Sequence, residues 1–199
     1  MNYIAHRVNT IEELFVLDSC YGVEIDLRDK FDDRIYLEHD PFKSGDDFEK
    51  YLQSYHHGTM ILNIKSERVE YKALELLEKY HVKDYFFLDS SFPMIKALSD
   101  IGNKNIALRF SEFEGMDVIR TMAGKIDWVW VDCFNKLPLD NETYHELKLL
   151  NYKICIVSPE LQGQPEKLDE YAQYLRNEKM IPDAVCTKVH MMERWKGRL

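Results

Sequence analysis

No apolar run in this chain approaches the about eighteen residues that a membrane-crossing helix needs, which excludes a transmembrane helix. The sequence opens directly on strand-like residues, and no charged-then-apolar leader is visible. Cysteine is sparse: Cys20, Cys133, Cys155 and Cys186, with no C-x-x-C pair. That argues against a zinc ribbon and against a thioredoxin-type redox motif. Three of the four lie in apolar, strand-like runs, so they are expected to be reduced core residues of a cytoplasmic protein. A basic excess is also missing: 26 Lys and Arg stand against 35 Asp and Glu, a net charge of −9. Such a balance speaks against a broad nucleic-acid surface and against general attraction to anionic lipid. An anionic substrate would need a local cation to overcome this field. Finally, no G-x-G-x-x-G follows the first strand, and there is no repeat, low-complexity tract or linker. The expectation is one domain over residues 1–199, of undefined oligomeric state.

What the chain does have is the composition of an ordinary globular protein, with 45% hydrophobic and 31% charged residues in 199. Strand-like runs and amphipathic segments alternate. Strands are expected at Tyr3–Ala5, Val23–Leu27, Met60–Lys65, Tyr85–Leu88, Ile106–Phe110, Trp128–Phe134, Lys153–Val157 and Ala184–Thr187. Ile35–His39 reads as a hairpin-like extension. Helices are expected between them. Thr10 with Glu13 fits a capping box, and Ile11, Leu14, Phe15 and Leu17 supply one apolar face. Further helices are expected at Asp46–Tyr55, Glu67–Tyr80, Pro93–Ser99, Met116–Ala123, Asp140–Leu150 and Pro165–Asn177, with a terminal one around Met191–Trp195. Strand onsets recur roughly every 20 to 30 residues, the length of one β–α unit. Eight such units predict an α/β fold, a (β/α)8 TIM barrel of minimal size with short loops, since that fold needs at least about 200 residues.

Glu24 and Asp26 stand two apart in the second strand, so both carboxylates leave one face while Val23, Ile25 and Leu27 leave the other. Two converging carboxylates on an enclosed face repel each other and lose hydration, so they require a counter-charge. Asn63 and Lys65 share a strand face in the same way. Barrel active sites collect at the C-terminal strand ends. There the sequence places His6-Arg7, Glu24, Asp26, Asn63, Lys65, Asp89, Arg109 and Thr187-Lys188, with His39-Asp40 ending the extension. The plainer reading of Glu24 and Asp26 is a salt-bridge network with Arg7 and Lys65. His56-His57 reads as a solvated turn, and Trp128 with Trp130 as core.

Ile4-Ala5-His6-Arg7, then Gly22-Val23-Glu24-Ile25-Asp26, then His39-Asp40 resemble the opening signature of the glycerophosphodiester phosphodiesterase family, whose fold is similar to that of phosphoinositide-specific phospholipases C. Asn9-Thr10, Leu62-Asn63-Ile64-Lys65, Ser90-Ser91-Phe92 and Asp183–Thr187 resemble later elements of that family more weakly. The resemblance implies a metal-dependent phosphodiesterase acting on a glycerophosphodiester or related small-molecule alcohol phosphodiester. It implies a divalent cation, Mg²⁺ or Ca²⁺, held by Glu24, Asp26 and Asn63. It implies His6 and His39 as the acid–base pair, and Arg7 and Lys65 as phosphate ligands.

Three departures stand out. Val8 occupies a position where the family has glycine, and Asn63 one where it has glutamate. The helical insertion after His-Asp is largely absent. Loss of one ligand charge predicts weaker cation binding, because hard-cation affinity follows ligand charge. Glu67, Asp89 and Glu38 are the carboxylates placed to compensate. Two alternatives stay open: a catalytically degenerate barrel that binds a phosphate ligand, and a metal-independent phospholipase-like lyase in which Lys65 or Arg7 takes the metal's place.

Overall fold

The computed structural model describes residues 1–30 and 32–199. They form two compact units, one of Ile4–Ile101 and one of Met1–Tyr3 with Gly102–Leu199.

In the first unit, β1 (Asn2–Ala5) contributes Ile4 and Ala5, which pair in parallel with the start of β2 (Gly22–Asp29). Between them lies α1 (Ile11–Val16), whose Thr10–Glu13 capping box forms as expected. The helix is short and shallow, however. Leu14 and Leu17 are buried, but Phe15, expected on the apolar face, is 72% exposed. On its other edge β2 pairs in parallel with β5 (Met60–Ile64), which pairs in parallel with β6 (Tyr85–Leu88). β5 is buried along its whole length, as a central parallel strand covered on both faces should be. The expected hairpin extension is β3 (Ile35–Leu37), antiparallel to the late part of β2. A two-residue β4 (Asp46–Asp47) joins it, where a helix was expected; Asp47 instead caps α2 (Phe48–Gln53). Helices α3 (Glu70–Lys79) and α4 (Phe92–Asp100) follow β5 and β6, the second with Pro93 in its first turn.

One edge of β2 is therefore shared. β1 occupies it as far as Val23, and β3 takes it from Leu27 onward. The gap between them is bridged by two single backbone bonds. Val8 N–H donates to the Glu24 carbonyl (3.0 Å), and Glu38 N–H to the Asp26 carbonyl (3.1 Å). The register of β2 against β5 depends on Gly22. A Cβ there would stand 2.3 Å from the Thr59 carbonyl oxygen, which also accepts from Val23 N–H. Gly22→Ala is expected to destabilise the protein by about 1–3 kcal/mol, as overpacking does, measured as a lower urea midpoint at unchanged slope.

The second unit runs in parallel from β7 (Ala107–Phe110) through β8 (Trp128–Val131) and β9 (Lys153–Val157) to β10 (Ala184–Thr187). Its connections are α5 (Met116–Thr121), α6 (Asn141–Leu149) and α7 (Leu168–Asn177). Asp140 caps α6 as expected, accepting from Thr143 N–H. The segment from Pro165 was expected to be continuous α-helix. Its first turn, Pro165–Lys167, is 3-10, and a further 3-10 turn spans Pro159–Gln162. Trp128 and Trp130 are both buried, so they are core residues. The C-terminal α8 (Met192–Lys196) buries Trp195 completely, and its indole N–H donates to Ser158 Oγ at 2.7 Å. Cys133, Cys155 and Cys186 are buried and form no disulfide among the described residues, and burial pushes the Cys133 thiol up to about 12. Among the described residues no helix is long and apolar enough to cross a membrane.

Candidate active site

Glu24 and Asp26 leave the same face of β2, as their spacing requires, and both are fully buried. Their partners arrive from three neighbouring strand ends. From the end of β1, Arg7 adopts a left-handed backbone (φ 58°), and its N–H donates to Glu24 Oε2 at 2.8 Å. The Arg7 guanidinium stands 3.9 Å from Asp26 Oδ2, and His6 Nε2 is 3.7 Å from Glu24 Oε2. Asn9 grips Asp26 twice: its amide N–H donates to Oδ2, and its carbonyl accepts from Asp26 N–H, each at 2.8 Å. From β5, Asn63 Nδ2 donates to Glu24 Oε1 at 2.8 Å. Lys65 Nζ stands 3.5 Å from Asp26 Oδ1 and 3.7 Å from Asp89 Oδ2, the latter just past β6.

Burial and then the charge of Asp26 push the Glu24 carboxyl up from 4.5 to about 7, against the pull of Asn63, the Arg7 N–H and Lys65. Below that value Glu24 tends to keep its proton, and ionising it fully calls for a further positive charge beside the pair. Two buried oxygens of the cluster, Asp26 Oδ1 and Asn63 Oδ1, also lack a hydrogen-bond partner. Hard oxygens of this kind, next to a carboxyl raised by a second carboxylate, fit a hard divalent cation. Among the described residues no three His, Cys, Asp or Glu converge as a ligand set; the further oxygen without a hydrogen bond beside the carboxylate pair is that of the Asn63 amide. The compensating carboxylates are otherwise engaged. Asp89 faces Lys65, Glu67 accepts from Ser91 Oγ at 2.6 Å, and Glu38 accepts from Asp40 N–H at 3.0 Å.

His39 belongs to a different set of contacts. Its ring is held by Asp40, with Nδ1 2.8 Å from Oδ1, and Asp40 is held in turn by Lys43 at 2.6 Å. Lys43 and then the His39 ring lower the Asp40 carboxyl to about 2, so it stays ionised. An ionised Asp40 can only accept, which favours the Nδ1–H tautomer of His39. What ties the His39 segment to the buried carboxylates is backbone, the Glu38 N–H to Asp26 carbonyl bond, and the Arg28 side chain ties the same segment to Lys65. Arg28 donates to the carbonyls of Glu38 (3.2 Å), Lys65 (3.2 Å) and His39 (2.7 Å).

The alternation of side chains along β2 carries this information, since Arg28 lies on the face of Glu24 and Asp26, two residues further on. The sequence reading stopped at the carboxylates and missed it. His56 is exposed as expected, but His57 is half-buried, its Nε2 3.1 Å from the Leu17 carbonyl. In the second unit, Arg109 and Thr187 are structurally employed. Arg109 donates to buried Asp132 at 2.6 Å, and Thr187 Oγ1 to buried Glu160 at 2.5 Å.

No protein-family model and no curated protein matches this sequence. Solved structures do match. A glycerophosphodiester phosphodiesterase from Agrobacterium tumefaciens aligns with TM-score 0.68 at 12% identity, over 94% of this chain and 96% of that one. One from Parabacteroides distasonis aligns with TM-score 0.68 at 13% identity, over 98% and 86%. Another A. tumefaciens structure, assigned as a glycerophosphoryl diester phosphodiesterase, reaches 0.71 at 12% identity, over 99% and 98%. The fold is that of the glycerophosphodiester phosphodiesterases. It is the TIM-barrel class expected from the strand spacing, and the likeness to the glycerophosphodiester phosphodiesterases covers nearly the whole chain. Within the first unit, the antiparallel β3–β4 pair is added to the edge of β2.

Proposed function

We propose that the chain is a phosphoric diester hydrolase acting on a glycerophosphodiester or a related alcohol phosphodiester. One observation carries the reading: His6, Arg7, Asn63 and Lys65 gather around the buried Glu24–Asp26 pair, from three strand ends, within a glycerophosphodiester phosphodiesterase fold. Glu24, Asp26 and Asn63 would hold a divalent cation, which, when bound, polarises a phosphoryl oxygen and offsets developing charge. Arg7 and Lys65 bind the phosphate, oriented by Asp26 and Asp89. One imidazole of the His6–His39 pair takes the proton of an attacking hydroxyl, either the neighbouring hydroxyl of the alcohol or water. As the new P–O bond forms, the bond to the leaving alcohol breaks, and the other imidazole protonates that oxygen. If the internal hydroxyl attacks first, the product is a cyclic phosphate, which water opens with the two roles exchanged.

The test is a panel of glycerophosphodiesters assayed with Mg²⁺, Ca²⁺ or Mn²⁺ and with a chelator. Turnover only with metal is the expected result, and no turnover with any metal would refute the hydrolase reading. A second reading is favoured by Lys65, whose ammonium already stands 3.5 Å from Asp26 Oδ1, an oxygen without a hydrogen bond. In that reading the lysine replaces the metal, and turnover survives the chelator. Asn63→Glu separates the two. It is expected to tighten cation binding at least tenfold by calorimetry, because it restores a charged ligand; unchanged affinity would remove Asn63 from the ligand set.

A further inference from the structure

Arg28 follows Glu24 and Asp26 on the same face of β2, yet it makes no ion pair with any described carboxylate. Its guanidinium is spent on three backbone carbonyls instead. One donor reaches Lys65, at the end of β5. The other two reach Glu38 and His39, on the segment leaving β3. These stretches carry, respectively, the proposed phosphate-binding ammonium and a proposed acid–base imidazole. β3 is three residues long, and its pairing with β2 ends at Leu37 opposite Leu27. Its pairing with β4 likewise ends at Leu37, and among the described residues the next backbone bond toward β2 is that from Glu38 N–H to the Asp26 carbonyl.

We propose that Arg28 is the positioning residue of this site, a planar fork that fixes the backbone of His39 against that of Lys65. The inference rests on the catalytic reading above and goes beyond it, since it names the group that sets the spacing between proton transfer and phosphate binding. A guanidinium suits this task and an ammonium does not. Three donors in one fixed plane meet three acceptors at once, whereas lysine presents a single point of attachment on a flexible stem.

Arg28→Lys and Arg28→Met test this in the full chain. Circular dichroism and thermal melting would first establish that each variant folds. Both are expected to lose at least tenfold in kcat, with KM and the calorimetric Mg²⁺ affinity nearly unchanged, because the phosphate and cation ligands remain. Guanidinium in the buffer is expected to restore part of the kcat of a folded Arg28→Ala variant, and ammonium is not. Wild-type kcat in both Lys and Met variants would overturn the proposal, as would equal losses in kcat and Mg²⁺ affinity. A second measurement does not depend on turnover. The His39 imidazole signals, assigned by their absence in His39→Gln, are expected to broaden or shift on Arg28→Met, together with the Glu38 and Asp40 amides. Unaltered signals would refute the positioning role even if the parent protein hydrolyses nothing. Parent inactivity with the expected shifts would instead fault the catalytic reading alone.

Discussion

His39→Ala is expected to lower kcat on a glycerophosphodiester by about 10²–10⁴-fold, the usual weight of one general acid–base group. Mg²⁺ affinity should stay nearly unchanged. The separation follows from the geometry. The ring of His39 is bound to Asp40, and the pair is linked to the buried carboxylates through backbone. Removing the imidazole leaves Glu24, Asp26 and Asn63 with all their mutual contacts. Asp40→Asn tests the same arrangement more gently. It keeps the shape but removes the ionised acceptor that selects the Nδ1–H tautomer, so it should lower kcat less than His39→Ala does. A parallel loss of turnover and Mg²⁺ affinity in His39→Ala would mean that the imidazole is itself a cation ligand.

The second large effect concerns stability. In chelator, the metal-free protein is expected to become less stable as pH rises from 5 to 8. The sign follows from Glu24, whose folded carboxyl is raised from 4.5 to about 7 by burial and by Asp26. Between those values the folded chain holds a proton that the unfolded chain has released. Its stabilising contribution is complete below the unfolded value and is lost as pH rises through the folded one. The deficit above pH 8 is on the order of 3 kcal/mol, and full burial of the side chain leaves little solvent to screen it. Glu24→Gln should flatten the slope, read from urea midpoints across this window. Added Mg²⁺ at pH 8 should recover stability in the parent and not in the variant. An identical slope in parent and Glu24→Gln would show that another group governs it.

Below pH 4 the sign reverses for a different group. Asp40 is held at about 2 by Lys43 and His39, so its pairings are lost only on strong acidification. The two carboxyls thus behave oppositely for one physical reason. Asp40 is at the surface with cations in contact, whereas Glu24 is enclosed beside a second carboxylate. Acidic letters in a sequence do not announce which environment each will meet.

Much of the arrangement was legible from local pattern. The period of two along β2 put Glu24 and Asp26 on one face, and the same period on β5 paired Asn63 with Lys65. The Thr10–Glu13 box, the Asp140 cap and Pro93 marked helix starts where helices begin, because capping uses residues three or four apart. The regular β–α spacing pointed to the barrel class. Phe15 was misplaced because a six-residue helix has too few turns for one apolar face to be covered throughout.

The sequence by itself determined which side chains share a strand face and in what order the strands follow, since both depend on periods of a few residues. Only the tertiary structure decided that β2's edge passes from β1 to β3 at Glu24 and Asp26, bringing His6 and His39 to neighbouring points of one strand. It alone decided that the Asn63 amide turns its N–H to Glu24, leaving its oxygen unpartnered, and that Arg28 binds carbonyls rather than carboxylates. These contacts join residues from 10 to 39 positions apart. Their geometry is set by sheet register and burial, which no short window of sequence contains.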